Sequence, residues 1–398
     1  MKDLTVLKKL LILFSLSAMS VGAGSDLQNY LSDEKNLIFD FQQQQNTVQT
    51  GMLQNSWIAP VTVSYQKDWQ SQGSGPTKTS EAFSIGIDQP IFKSGGIFFG
   101  IKYAHALRGA NQTDIALQKR TLIAQAVEIL FRYRQTKLRI QKLRLLVRNS
   151  AIAQKRQEEM YRAGMIDSTI LDQTILAHNR DSSQLLDLQL SLRQLRANFR
   201  FLSDKNPDKL RLPKLKLISL KKYGSKNLAL AAKRLHALEK RYHHKMTWTK
   251  YLPTVTAYAH YRYADDRTPG TMKGYTNYGI RVTMPFNVNA PADIEASRLN
   301  ALLAHVSVRD QRKVIRAEYA LVRSSLYYLD RKIALAQEDA VRYRRLLKST
   351  KNLYKAGEKT EQDVQTMRNS LAMKKLDRRI YYYDKQLQLL KLYAKVAR

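Results

Sequence analysis

The chain contains no cysteine. That excludes disulfides, thiolate metal sites, a cysteine nucleophile and a lipid anchor attached through an N-terminal cysteine. Proline and glycine are scarce, with 9 and 16 residues in 398, and so are acids, 33 Asp and Glu against 67 Lys and Arg. The resulting formal charge of +34 would repel itself inside a compact globule, so it demands an acidic partner or a spread-out surface. Taken alone, it suggests nucleic-acid binding. A hydrophobic content of 44% excludes wholesale disorder. Enzyme signatures are missing as well: there is no glycine-rich phosphate loop, no Gly-x-Ser-x-Gly elbow and no His-Glu-x-x-His pattern. His243-His244 is the one adjacent His pair, and sequence neighbours do not share a helix face. Neither catalysis nor a metal or cofactor is expected.

What is present begins with an address. Lys2, Lys8 and Lys9 precede an apolar run from Leu10 to Met19 and the small residues Val21-Gly22-Ala23-Gly24-Ser25. This is the order of a secretory signal peptide, residues 1–23, with Val21-x-Ala23 as the cleavage site. The run is too short for a membrane span, which needs about 20 apolar residues. Export removes the nucleic-acid reading. The leader holds only three of the lysines, against Asp3, so the basic character belongs to the mature chain.

The remainder is one unit written twice, 24–200 and 226–398, joined by 201–225. Pro60 and Pro253 each precede an alternating run and stand 193 residues apart; Tyr161-Arg162-Ala163-Gly164 and Tyr354-Lys355-Ala356-Gly357 have the same spacing. Gln89-Pro90-Ile91-Phe92 answers Met284-Pro285-Phe286 between them. A solenoid needs three or more repeats, so two copies imply a unit that closes with other chains. Period-two alternation predicts strand hairpins at about 60–69 with 81–92 and 253–263 with 275–286. In the second copy Val255, Ala257, Ala259, Tyr261 and Tyr263 share a face with Tyr278, Ile280, Val282 and Met284, while Thr254, Thr256, His260, Arg262, Asn277 and Arg281 take the other. Strands of this length with one apolar and one polar face fit the wall of a membrane β-barrel with a wet lumen, although a soluble sandwich has the same alternation.

After each hairpin the breakers disappear. Long helices are predicted at about 97–160 and 292–354, reversing at Gly164 and Gly357 into return helices at about 168–200 and 360–397. The first would extend on the order of 95 Å. Leu122, Ala126, Ile129, Tyr133, Ile140, Leu143 and Val147 mark a coiled-coil-like seam, with a second stripe through Ile123, Val127, Leu130 and Leu138. Arg132, Arg134, Lys137, Arg139, Lys142, Arg144 and Arg148 read as a solvated face. Four strands cannot close a membrane barrel and an open edge cannot face lipid. Three chains would supply twelve strands.

At this point the sequence resembles the TolC-like outer-membrane efflux family across nearly the whole mature chain. The residues that carry the likeness are the Pro60 and Pro253 strand entries, the Gln89-Pro90-Ile91-Phe92-Lys93-Ser94-Gly95-Gly96 junction, and the twin tips Tyr161-x-Ala163-Gly164 and Tyr354-x-Ala356-Gly357. The resemblance implies an α+β membrane protein, a homotrimer whose twelve-stranded barrel lies in the outer membrane and continues as a periplasmic α-helical barrel. It implies docking with a periplasmic adaptor and an inner-membrane RND or ABC pump. It assigns adaptor contact to Ala163, Gly164, Met165, Ala356, Gly357 and Glu358, and the pore entrance and gate to Tyr354, Lys359 and Asp363. The family's acid six residues after the first tip glycine is Ile170 here, with Asp167 and Asp172 nearby, and Thr366 stands where a second entrance acid would be. The segment 26–56 implies a reduced initial helix, and 201–225 an equatorial belt. The competing architecture is a periplasmic coiled-coil adaptor or scaffold, which has no use for two-faced strand hairpins.

Overall fold

The computed structural model describes residues 30–71, 73, 78–265 and 274–397. The leader 1–23 and most of the two hairpin turns lie outside these described residues. The elements run α1 Asp33–Gln54, β1 Thr62–Gln70, β2 Lys78–Phe92, α2 Gly96–Arg162, α3 Ser168–Arg200, α4 Leu220–Ser225, α5 Leu228–Thr249, β3 Thr254–Asp265, β4 Gly274–Thr283, α6 Ala290–Lys355 and α7 Glu361–Tyr393.

The absence of breakers lets α2 and α6 run for 67 and 66 residues. Pro291 falls in the first turn of α6, where a missing N–H removes no helical hydrogen bond. Two strand limits differ from expectation by three residues. β2 starts at Lys78 rather than 81, and β4 ends at Thr283, so Met284-Pro285-Phe286 lies beyond the sheet; Pro285 has no N–H to give a ladder. α7 stops at Tyr393 rather than 397, and Val396 bridges back to Asn227. The initial helix α1 has 22 residues, as does α5, and their limits are offset by 195 (33 to 228, 54 to 249). The duplicated unit is therefore helix, hairpin, long helix and return helix. No helix among the described residues is long and apolar enough to cross a membrane.

Two compact units arise by contact. The first (residues up to Leu37, Leu122–Leu215 and Tyr328–Leu390) is helical apart from the linker. Its core takes in both sequence stripes, with Ala126, Val127, Leu130, Tyr133, Leu138 and Ile140 of α2 buried, as are Val364, Leu371 and Ile380 of α7. Between α2 and α7 the packing carries polar rungs at heptad steps. Gln135 donates to Asp384 (2.7 Å), Lys142 pairs with Asp377 (2.6 Å), Asn149 donates to Ser370 (3.4 Å) and Arg156 pairs with Asp363 (2.7 Å). Seven residues separate successive rungs on both helices, so the four rungs share one antiparallel register. Polar groups at such positions fix register at some cost in stability. The basic run of α2 is thus only partly a solvated face. Arg132, Arg139, Arg144 and Arg148 are exposed, but Lys142 is a rung, and Arg134 and Lys137 hold the linker. Arg134 donates to the Pro207 carbonyl (3.0 Å), while Lys137 and Tyr133 reach Asp208 (2.9 and 3.0 Å).

The second unit (Ile38–Thr121, Lys216–Tyr327 and the last residues from Lys391) holds the sheet and the ends of the long helices that adjoin it. Here α2 is lined with small residues: Ala104, Ala106 and Ala110 are buried, and Gly100 and Gly109 admit Met246 and Leu235 of α5. His236 of α5 meets Asp114 of α2 at 2.6 Å, and Asn46 of α1 donates to the Arg108 carbonyl at 3.1 Å. Tyr223 is fully buried and donates to Glu318 at 3.0 Å; burial pushes its hydroxyl pKa far up.

At the strand-to-helix junction a bulge between Pro90 and Phe92 ends the ladder, and the chain turns through Ser94 (φ 48°) and Gly95 (φ 89°). The left-handed conformation is unfavourable for Ser. Its hydroxyl offsets this by donating to the Pro253 carbonyl at 2.7 Å, joining the two repeat signatures.

The ladder makes a prediction. Lys142→Leu leaves Asp377, whose side chain is 12% exposed, without its counter-ion and should cost about 1–2 kcal/mol. Adding Asp377→Leu should recover most of that loss. Thermal melting of the detergent-solubilised protein measures both.

Candidate functional site at the tips and the sheet

Both helix reversals are built in the same way. Gly164 (φ 70°) sends its N–H to the Tyr161 carbonyl, and Met165 sends its own to Met160; Gly357 (φ 81°) and Glu358 repeat this with Tyr354 and Leu353, at 2.9–3.1 Å throughout. This doubled pair of bonds is a Schellman ending, which needs a left-handed residue and so favours glycine. A Cβ on either glycine would meet nothing within 4 Å, so the backbone alone demands them. The turns present Ala163, Gly164, Met165, Tyr354, Ala356, Gly357, Glu358 and Lys359 as exposed residues, with Met165 at 72%.

The next helices are capped by acids. Asp167 accepts from the Thr169 N–H at 3.2 Å and from Ser168, and these bonds lower its pKa. Asp167 is thus the N-cap of α3. Ile170, where the resemblance leads one to expect an acid, is exposed. At the second tip Thr360 and Asp363 form a capping box, each accepting from the other's backbone N–H (3.0 and 3.2 Å). Asp363 also accepts from Arg156 of α2 at 2.7 Å. The Arg156 guanidinium, followed by the Thr360 bonds, holds the Asp363 carboxyl down at about 2. The resemblance assigns Asp363 to the pore entrance without naming Arg156. Only the heptad step from Gln135 through Lys142 and Asn149 points to it, and that step becomes visible once α7 is known to be the partner.

The four strands form one antiparallel sheet in the order β1-β2-β3-β4, leaving β1 and β4 as edges within the chain. Its register sorts the faces. One carries Val63, Tyr65, Phe83, Ile85, Ile87, Ala257, Ala259, Tyr261, Tyr263, Tyr278, Ile280 and Val282, joined through rows such as Val63↔Ile85↔Tyr261. Large side chains on this face are exposed, Tyr278 to 78% and Ile280 to 69%. Near its far end Lys67 pairs with Glu81 across the strands at 2.7 Å. The opposite face carries Thr62, Ser64, Ser84, Gly86, Asp88, Tyr258, His260, Arg262, Asn277 and Arg281. There Asp88 meets His260 at 2.9 Å and Arg281 at 3.3 Å, and Arg281 lies over the Tyr258 ring at 4.8 Å. Gly86 and Gly279 leave room for these rings: a Cβ there would come within 2.3 Å of His260 and 2.7 Å of Tyr258. The sequence pattern locates His260, Arg262 and Arg281 on this face but not their convergence on Asp88, which depends on strand register.

His243 and His244 turn to different partners, the ring of Tyr103 and Ser297. No cluster of three or more metal-ligating side chains occurs among the described residues.

No family model matches the chain, and no curated protein does. Solved structures do. The outer membrane protein VceC from Vibrio cholerae has a TM-score of 0.72 at 14% identity, covering 93% of this chain and 95% of that one. The CmeC outer membrane channel of Campylobacter jejuni has 0.73 at 14%, covering 93% and 84%. The MtrE outer membrane channel of Neisseria gonorrhoeae, solved in its open state, has 0.71 at 13%, covering 93% and 87%. At such identities the likeness is one of fold. The chain has the mostly helical TolC-like fold with its small antiparallel sheet, the fold of outer-membrane channels.

Asp363 supplies a prediction here. Its folded pKa lies below the unfolded carboxylate value of about 4, so its contribution to stability is present above that pH and is lost as pH falls toward 2. Melting temperature followed from pH 5 to pH 2 should fall less steeply in Asp363→Asn than in the unmodified protein. Equal slopes would mean that the Arg156 pair contributes nothing.

Proposed function

We propose that three copies of this chain form a passive duct through the outer membrane of a Gram-negative-type cell. Their twelve strands close the barrel, and their helices form a tunnel in the periplasm. The duct would receive cargo from an inner-membrane pump of the RND or ABC class through a periplasmic adaptor and conduct it outward without chemistry of its own. The observation that carries this reading is the sheet. A continuous apolar face of Val, Ile and Tyr is exposed, and among the described residues no strand pairs the outer edges of β1 and β4. In lipid every such edge must be closed, while apolar residues outside and polar residues inside are what a barrel wall requires. A soluble adaptor or scaffold would hold the same face in water.

In this reading Ala163, Gly164, Met165, Ala356, Gly357 and Glu358 contact the adaptor, and Tyr354, Lys359 and Asp363 border the entrance. The exposure of the tip residues supports the first assignment. The second is altered for Asp363, whose charge is already met by Arg156.

Cell fractionation and mild-detergent sizing test the duct, with outer-membrane recovery as a trimer expected. Recovery among soluble periplasmic proteins, or as a monomer, would sink it. Gly357→Pro tests the tips, because proline holds φ near −65° and cannot follow the turn. Such a variant should still insert as a trimer while dye accumulation in cells rises to the level of a deletion strain; wild-type efflux would remove the tips from the docking surface.

A further inference from the structure

We infer that the barrel lumen carries net positive charge and selects anionic solutes over cations, an inference that rests on the duct reading. If the apolar face of the sheet meets lipid, the polar face lines the lumen, three copies around the ring. The charged side chains described on that face are few. Asp88 sits in the row Asp88↔Tyr258↔Gly279 and is engaged on both sides, by His260 at 2.9 Å and Arg281 at 3.3 Å. Its charge is met within the chain. Arg262 lies in the row Ser84↔Arg262↔Tyr275 and is exposed, and among the described residues no carboxylate lies within 4 Å of it. Three copies would therefore place three uncompensated guanidinium groups around the water path. The other carboxylate described on this face, Asp68, pairs in register with Ser80, four residues from the Ser64↔Ser84 row toward the hairpin end, and takes two hydrogen bonds from the Gln66 amide. Among the described side chains of this face, Asp68 thus lies farther toward the hairpin end than Arg262 and the Asp88 cluster, whose charges sum to net positive.

Geometry keeps that charge accessible. Gly86 and Gly279 let the His260 and Tyr258 rings occupy space that a side chain would fill, so the Asp88 cluster stays against the wall. The chain-wide excess of 67 basic over 33 acidic residues acts in the same direction, because rings of fixed charge bias which ions enter a pore. The Arg262 ring is the specificity-determining element, and sulfonated, phosphorylated or carboxylated solutes are the cargo class it favours.

The test is zero-current potential in planar bilayers containing the full-length trimer, with potassium chloride in unequal concentrations on the two sides. Chloride should permeate more readily than potassium. Arg262→Glu should lower the chloride-to-potassium permeability ratio by about twofold or more, the scale expected of a unit charge partly screened by salt. Asp88→Asn should raise it by freeing Arg281. Potassium preference in the unmodified channel, or a ratio unmoved by either substitution, would overturn the inference and leave the duct reading intact. A larger effect from Asp68→Asn than from Arg262→Glu would move selection toward the hairpin end and overturn it as well. A membrane-inserted trimer that conducts no ions would refute the duct reading, and this inference with it.

Discussion

Backbone hydrogen bonding at the edges of a four-stranded sheet is the constraint on which the rest depends. β1 and β4 are the edges of the sheet, each with one side that no other strand pairs among the described residues, beside a face of exposed Val, Ile and Tyr. Water could satisfy the edges but not the face. Lipid could satisfy the face but not the edges. Closure with further copies satisfies both, and four strands per chain make three copies a sufficient number for a barrel with an aqueous interior.

The helices meet a different problem, that of keeping elements of 67 and 66 residues in register. Apolar seams alone permit slippage by a heptad, since the same pattern recurs. The rungs at Gln135, Lys142, Asn149 and Arg156 oppose different partners, an acid or a hydroxyl, and a shift of seven residues would set Asn149 or Gln135 against the wrong group. Three of the chain's few acids are committed to that ladder and another, Asp208, to holding the linker on α2. The bases they meet, Lys137, Lys142 and Arg156, are the ones that position the helices, while Arg132, Arg139, Arg144 and Arg148 stay exposed.

Much of this architecture was legible in the sequence because it is punctuated by rare residues. Gly164 and Gly357 sit at left-handed turns that favour glycine, Pro60 and Pro253 precede the strands, and the spacing of the four exposes the duplication. The full extent of α1 is hidden because it includes the polar run Gln42–Gln45, which shows no apolar period. β4 was drawn too long because alternation continues past Thr283 although Pro285 cannot join a ladder. The ladder and the Asp88 cluster were invisible for a common reason. Each depends on which residue of a distant element lies opposite, and neither helical periodicity nor strand alternation carries that register. The same limit applies to Asp363, whose place near the tip could be read from the motif but whose neutralisation by Arg156 could not.

The absence of cysteine offers a clean test of the central claim, closure between copies. Single cysteines placed along Thr62–Gln70 and along Gly274–Thr283 in one chain have no background thiols to compete with them. If β1 of one protomer pairs with β4 of the next, some combinations will oxidise in intact outer membranes to a covalent species of three chains that dissociates on reduction. If every combination yields only monomer, or only crosslinks within one chain, the edges do not meet between copies, and the account of this protein as a closed duct is wrong.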